Sequence, residues 1–491
     1  MKRIALSVFF ILNILLIGAF CVQAAQPLDV IERLKDMSAT IKFLEKTGQL
    51  VRVKTEVDPN LELAGIAKKF EGQQKVVLFE KVKGSAYPVV VGFLWNRDLV
   101  ASVFNTTKDK VVFDIGAAVG SWKKSPMGTD TVLSGPANEV IKKGKDVNLY
   151  ELPAPVHAEK DGGRYLDCSV IIANDPDTGI PNAHIARLMI TAKDRMTLLI
   201  DHGRHIEDYV MRAEKEGKPV QITINNGVAL GPWLASTFPR GAAPGDKMSL
   251  ASSMVGEKIR LLKAQTVDTF GLADSQFVIE AEILPNIREP EGPFGEVTGY
   301  YAEKDNRYVV KVKAITHRKN PIFHTLLGGK EVYNAVGLTA EAKVFMNVSG
   351  LVPAVKAVNF THGGGAFYHA VVQLKNAKDR VGYREGFSKN VIMATFAAWP
   401  TLKQVVVVDD DVDIFNAEDV EWAIAGRCDF EKDLIFIKEG YGHELSPVTN
   451  NNLVTKLGID ATAPYPWKQK YDRVTFKEVN LNKYNIEGRD K

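Results

Sequence analysis

Cysteine is nearly missing from this chain: three occur in 491 residues. That is too few for a disulfide-built scaffold, and one short of a four-thiolate zinc or iron–sulfur site. A resident metal would have to rest on His, Asn and carboxylates. Excess charge of one sign is missing too. The 62 Lys and Arg face 59 Asp and Glu, a formal net charge of +3, which gives no electrostatic case for a nucleic-acid binder. There is no P-loop and no Rossmann fingerprint. No G-x-S-x-G elbow accompanies Thr361-His362-Gly363-Gly364-Gly365, so that lipase-like stretch does not make a hydrolase. Asp409-Asp410-Asp411-Val412-Asp413 lacks the glycine and closing glutamate of an EF-hand loop and reads as the acidic end of a buried strand. Internal repeats and low-complexity tracts are absent.

What is present is ordinary for a globular protein: 45% hydrophobic and 25% charged residues. At roughly 100–200 residues per domain, the length suggests two or three domains with real cores. The N-terminus adds a targeting segment. Lys2 and Arg3 precede an apolar run to Val22, followed by Gln23-Ala24-Ala25. This pattern reads as a secretory leader, residues 1–24, which places the protein in the periplasm or outside the cell. An uncleaved single-span anchor, which would hold the protein on the membrane, is the alternative. Bulky Phe20 argues against a lipoprotein anchor at Cys21. Cleavage leaves only Cys168 and Cys428.

Periodicity then divides the chain. Residues 28–110 alternate helical and strand patterns and read as a small α/β unit. A polar helix is expected over 136–143. From about 165 to 325, short β-rich segments separated by turn residues suggest a barrel or folded sheet, interrupted by an amphipathic helix at 206–216. From 328 to 465 helices and strands alternate again. Val405 to Val408 is an all-apolar strand ending in acid, the pattern of a buried parallel sheet. The tail, 466–491, is polar.

Two stretches could carry chemistry. The first is Arg288-Glu289-Pro290-Glu291-Gly292-Pro293-Phe294-Gly295-Glu296, where two prolines and two glycines constrain a loop that displays two carboxylates. Paired carboxylates beside a cation can hold one acid protonated and the other ionised, which suits proton transfer. A solvated turn with charges on its rim would look the same in composition. The second is Asn182-Ala183-His184-Ile185-Ala186-Arg187, followed by Asp201-His202-Gly203-Arg204-His205. Its Asn oxygen and His nitrogens are plausible ligands for a divalent metal, although a lone His is more often structural.

In these residues the chain resembles the UbiD family of prenylated-FMN-dependent (de)carboxylases. The resemblance also runs through Gly135–Val140, Leu152–His157, Asn174–Gly179, Gly299-Tyr300-Tyr301, Val408–Asp413 and Gly458–Thr462, and covers nearly everything after the leader. It implies an α+β fold: an N-terminal α/β unit, a central split β-barrel at 111–327 that holds the flavin, and a C-terminal α/β domain at 328–465 used in homo-oligomerisation. It implies a catalytic trio of Arg187, Glu291 and Glu296. Glu296 would donate the proton that replaces CO2, and Arg187 and Glu291 would tune it and position an aromatic or α,β-unsaturated acid substrate. Cofactor contacts are implied for Asn182, His184, Ile185, Ala186, Arg187, His205, Ser236, Phe238, Pro239 and Lys403. A divalent metal, usually Mn2+, and a K+ ion are implied nearby, the former on Asn182, His205 and a third, acidic residue. Counting forward from Pro239 places Asp246 at that third position; counting back from Ala251 and Gly256 places Lys247 there. The competing reading is an exported, non-catalytic flavin- or ligand-binding protein on the same fold.

Overall fold

The computed structural model describes residues 26–201, 203–239, 245–365, 368–375, 385–464 and 466–484. The expected leader lies outside these residues, as do His202 and residues 485–491. Among the described residues no helix is long and apolar enough to cross a membrane.

The first unit follows its periodicity. Helices Leu28–Leu34 and Met37–Lys46 cover a sheet of Leu50–Val53, Val76–Phe79 and Val89–Val91. Asp36 starts the second helix by accepting from the Ala39 N–H at 2.7 Å, a side-chain N-cap. The fourth strand of this sheet, Phe323–His324, arrives from far along the chain, so the central region closes the first unit.

The central sheet has nine strands. Its main path runs Tyr165–Leu166, Leu188–Ala192, Arg195–Leu198, Asp305–His317, Phe277–Glu291, Val220–Asn226, Val170–Asn174, Pro181–Ile185, with Val140–Lys143 added on the flank of Asp305–His317. The two ends of this path are not hydrogen-bonded to each other among the described residues, so the expected split barrel is not closed by strand pairing. The helix expected over 136–143 is replaced by a single 3-10 turn, Pro136–Asn138, and the strand Val140–Lys143. Its backbone pairs with Ala314 to His317, so cross-strand hydrogen bonds prevail over a weak local helix pattern.

Two helices in this region carry no amphipathic signature. All eight residues of Leu230–Thr237 are buried, and so are eight of the nine in Lys247–Val255. A helix covered on every side needs no polar face. They pack closely: a Cβ on Gly231 would lie 2.4 Å from Val255 Cγ2, so only glycine fits there.

The 22-residue helix Lys330–Leu351 leads into the last unit. There a five-stranded sheet is ordered Val355–Phe360, His369–Leu374, Gln404–Val408, Leu453–Asp460, Leu434–Tyr441. Gln404–Val408 pairs in parallel on both sides and buries Val405 to Val408 completely, as its unbroken apolar run predicts. The acid after it is held inside: Arg427 pairs with Asp409 at 3.2 Å and with Asp411 at 2.5 Å. The α+β reading stands.

Candidate active site

The paired-carboxylate loop lies at the far end of a long hairpin. Its strands, Phe277–Glu291 and Asp305–His317, change register between Ile283 and Arg288, a bulge that redirects the distal half. Glu291 is the last residue of the outgoing strand and fully buried. Arg187 follows the strand Pro181–Ile185 and meets it there. Its Nε and Nη2 donate to Glu291 Oε1 and Oε2 at 3.0 and 3.1 Å, a bidentate fork. The Arg187 Nη1 donates to Glu296 Oε1, and the guanidinium stacks over the Phe294 ring at 4.9 Å. One arginine thus bridges both carboxylates, which a solvated turn would not do.

Two neighbours hold this cluster in place. Tyr165 donates its hydroxyl to Glu291 Oε1 at 3.0 Å; burial raises the Tyr165 pKa further, so it stays a donor. Asp161 ties the loop to the Leu152–His157 motif. Its Oδ1 accepts from the Gly295 N–H at 2.8 Å, and its Oδ2 from His157 and Ala158 N–H at 3.1 and 2.9 Å. Gly162 allows the approach, since a Cβ there would sit 2.2 Å from the Gly292 carbonyl oxygen.

Arg187 and Glu296 line a cavity. Its other walls include Ile185, Ala186, Leu199, Trp233, Phe294, Leu326, Val332, Ala335 and Val336, with Asp201, Arg204, Ser236 and Thr237 as polar lining, Arg204 paired with Asp201 at 3.6 Å. The last unit contributes His443 and Leu445. Trp233 is fixed by its Nε1 bond to the Cys168 carbonyl at 2.6 Å. Ile185, Ala186 and Arg187 line this cavity, whereas Asn182, Ala183 and His184 line a small neighbouring cleft with His205, Tyr209, Phe238, Arg204 and Lys247, so strand alternation alone does not sort them.

Comparison with known proteins identifies the family. Three family models match in order: the 3-octaprenyl-4-hydroxybenzoate carboxy-lyase N-terminal domain over residues 41–119, the Rift-related domain over 130–331 and the C-terminal domain over 333–461. The chain belongs to the UbiD family. The uncharacterized protein in the cooM 5' region of Rhodospirillum rubrum is 43% identical over 455 residues, covering 92% of this chain and 96% of that one. Anhydromevalonate phosphate decarboxylase of Methanothermobacter thermautotrophicus is 33% identical, covering 89% and 99%. Among solved structures, the UbiD-class enzyme HmfF from Pelotomaculum thermopropionicum in complex with FMN superposes with a TM-score of 0.86 at 36% identity, covering 92% of this chain and 100% of that chain.

The UbiD resemblance assigned several residues to cofactor and metal, and the structure distributes them unevenly. Ile185, Ala186, Arg187 and Ser236 line the cavity. Asn182, His184, His205 and Phe238 line the cleft, and half-buried Pro239 follows Phe238 at the end of helix Leu230–Thr237. Lys403 sits in the last unit, donating to Ser446 Oγ at 3.2 Å beside the loop that brings Leu445 to the cavity. A largely apolar slot suits a flavin ring, and Arg204, although shared with Asp201, is a cation on the lining for an anionic tail. The expected divalent ion fits less well. Asn182 Oδ1 accepts from the Ala183 N–H at 2.9 Å. Asp246 does not line the cleft; its Oδ1 caps helix Lys247–Val255, accepting from Met248 and Ser249 N–H at 3.0 and 2.9 Å. Lys247 stands in the cleft instead. Among the described residues no group of three His, Cys, Asp or Glu could hold a metal. Burial, reinforced by Arg204, brings the Lys247 pKa down to about 7. Burial also keeps His184 well below the usual histidine range, hence neutral.

Sequence reasoning missed Tyr165, Asp161 and Asp167. Asp167 is buried in the cavity wall, accepting from Thr325 Oγ1 at 2.7 Å and facing His157 Nε2 at 2.6 Å. Only the His157 end of that network lies in a quoted motif, and nothing local marks its partners.

Proposed function

We propose that this protein is a carboxy-lyase that uses prenylated FMN to remove CO2, reversibly, from an aromatic or α,β-unsaturated carboxylic acid. The observation that carries this reading is the Arg187 bridge between Glu291 and Glu296 on the wall of an apolar cavity. When bound, the flavin supplies an electron sink for the substrate's unsaturated system. The protein's own groups do the rest. Glu291, fully buried and held by Arg187 and Tyr165, is the fixed anion that orients the guanidinium. Glu296 receives a single bond from Arg187 and borders the cavity, so it is the carboxyl free to exchange a proton. In decarboxylation it delivers that proton to the carbon that has lost CO2. In the reverse direction its carboxylate takes the proton as CO2 adds. Leu326, Val332, Ala335 and Val336 keep water from the reacting carbon.

The assembled trio gives the non-catalytic alternative no support. The test is turnover of candidate acids in deuterated solvent by protein loaded with prenylated FMN. CO2 release with deuterium in the product at the carbon that carried the carboxylate is expected, and its absence across aromatic and alkenoic acids would sink the assignment. The leader reading makes this a protein of the periplasm or the membrane surface, tested by N-terminal sequencing of protein from each fraction. Exposed Phe436 and Tyr441 on the edge strand of the last sheet, with Leu453 on the strand beside it, support assembly of homodimers or larger homo-oligomers, which light scattering checks.

A further inference from the structure

We infer that Lys247 is the built-in cation of the flavin phosphate site, taking the place of a divalent metal. The inference rests on the flavin reading above and concerns only how the anionic tail is held. Lys247 is 2% exposed. Its Nζ donates to the Ser236 carbonyl at 3.1 Å, and among the described residues no carboxylate pairs with it, leaving two donors unspent. A buried ammonium without a counter-charge is unfavourable, and an anion from outside the chain is what would hold this one in its charged form. The position selects which anion. Ser236 lines the main cavity, and Arg204 lines both that cavity and the cleft holding Lys247. An anionic tail passing from the cavity by Ser236 therefore meets Arg204, which is shared with Asp201, and then Lys247, with which no described carboxylate pairs. Phosphate is the matching chemistry, since lysine binds it as a point charge and arginine as a fork.

The same residues count against a metal. A divalent ion in the cleft would stand beside Lys247 and Arg204, and among the described residues the cleft lining holds no carboxylate; Asp201 pairs with Arg204 at 3.6 Å from the cavity side. Asp246 does not line the cleft, its Oδ1 accepting two N–H groups of its own helix, which leaves Asn182 and His205 without an acidic partner in the cleft lining. Gly231, by letting the two buried helices touch, sets the ammonium against the Ser236 carbonyl.

The test uses the full protein with FMN as the probe. Fluorescence titration with FMN is run in metal-free buffer with EDTA and again with added Mn2+, and bound metal is measured by mass spectrometry. Equal affinity in both buffers, with metal far below one per flavin, is the expected result. One metal bound per flavin, with EDTA releasing both, would overturn the inference alone. No FMN binding in either buffer would overturn the flavin reading with it. Lys247→Met is the second arm. It should weaken FMN by about 10- to 100-fold, the loss of one charge-assisted bond, and leave riboflavin, which lacks the phosphate, unchanged. Equal losses for FMN and riboflavin, or none for FMN, would overturn the inference. Because the first arm uses unaltered protein, the question is decided even if the variant does not fold.

Discussion

Arg187 and Lys247 are both buried basic side chains, one on the cavity and the other in the adjoining cleft, yet their surroundings are opposite. Arg187 is met by two carboxylates on the hairpin loop, with Tyr165 and Asp161 holding that loop in register. Lys247 is met by a carbonyl, neutral His184 and another cation, Arg204. The first end is complete without a ligand and is therefore preorganised for chemistry. The second lacks its counter-charge and is therefore suited to capture an anion. The difference teaches that buried charge by itself does not mark the reacting end; how the charge is neutralised does.

The comparison can be broken at several points. The largest effect is expected from Arg187→Ala, which strands Glu291 as a buried carboxylate with only the Tyr165 hydroxyl. Stability should fall by about 3–5 kcal/mol and CO2 release to background, read by thermal denaturation and a CO2 assay. An unchanged melting curve would show that the paired end does not depend on its own charges. Next comes Glu296→Gln, which keeps the size and removes the acid. CO2 release and deuterium exchange should drop about 10²- to 10⁴-fold with flavin still bound, and unaltered turnover would remove Glu296 from the donor role. Tyr165→Phe removes one of three hydrogen bonds to Glu291. It should cost about 1 kcal/mol of stability and up to about tenfold in rate, with no change in FMN affinity. The smallest effect belongs to the other end. Asp246→Ala should cost about 1 kcal/mol as a lost N-cap and leave FMN affinity intact in a fluorescence titration. A collapse of that affinity together with bound metal would make Asp246 a ligand and dissolve the contrast.

Much of this was legible beforehand because it is local. Two prolines and two glycines around Glu291 announced a constrained loop, and the strand Gln404–Val408 was readable from its unbroken valines. The helices Leu230–Thr237 and Lys247–Val255 were not, because burial on all sides erases the periodicity that would reveal them. The polar stretch 136–143 misled because its strand exists only by pairing with Asp305–His317. Tyr165 escaped notice because a tyrosine's value as a donor depends on what lies opposite it, here a carboxylate 126 positions away.

The sequence alone determined the family, the α+β class and the identity of the arginine and two glutamates, since these rest on residue type and order along the chain. It left Asp246 and Lys247 equally eligible for one position, because two counts in opposite directions disagree by one residue. Only the tertiary structure decided between them. Asp246 precedes the helix with extended backbone, so its carboxylate turns onto the free N–H groups of the first turn. Lys247 is the first helical residue and enters the cleft, and that boundary separates a carboxylate from an ammonium at the site.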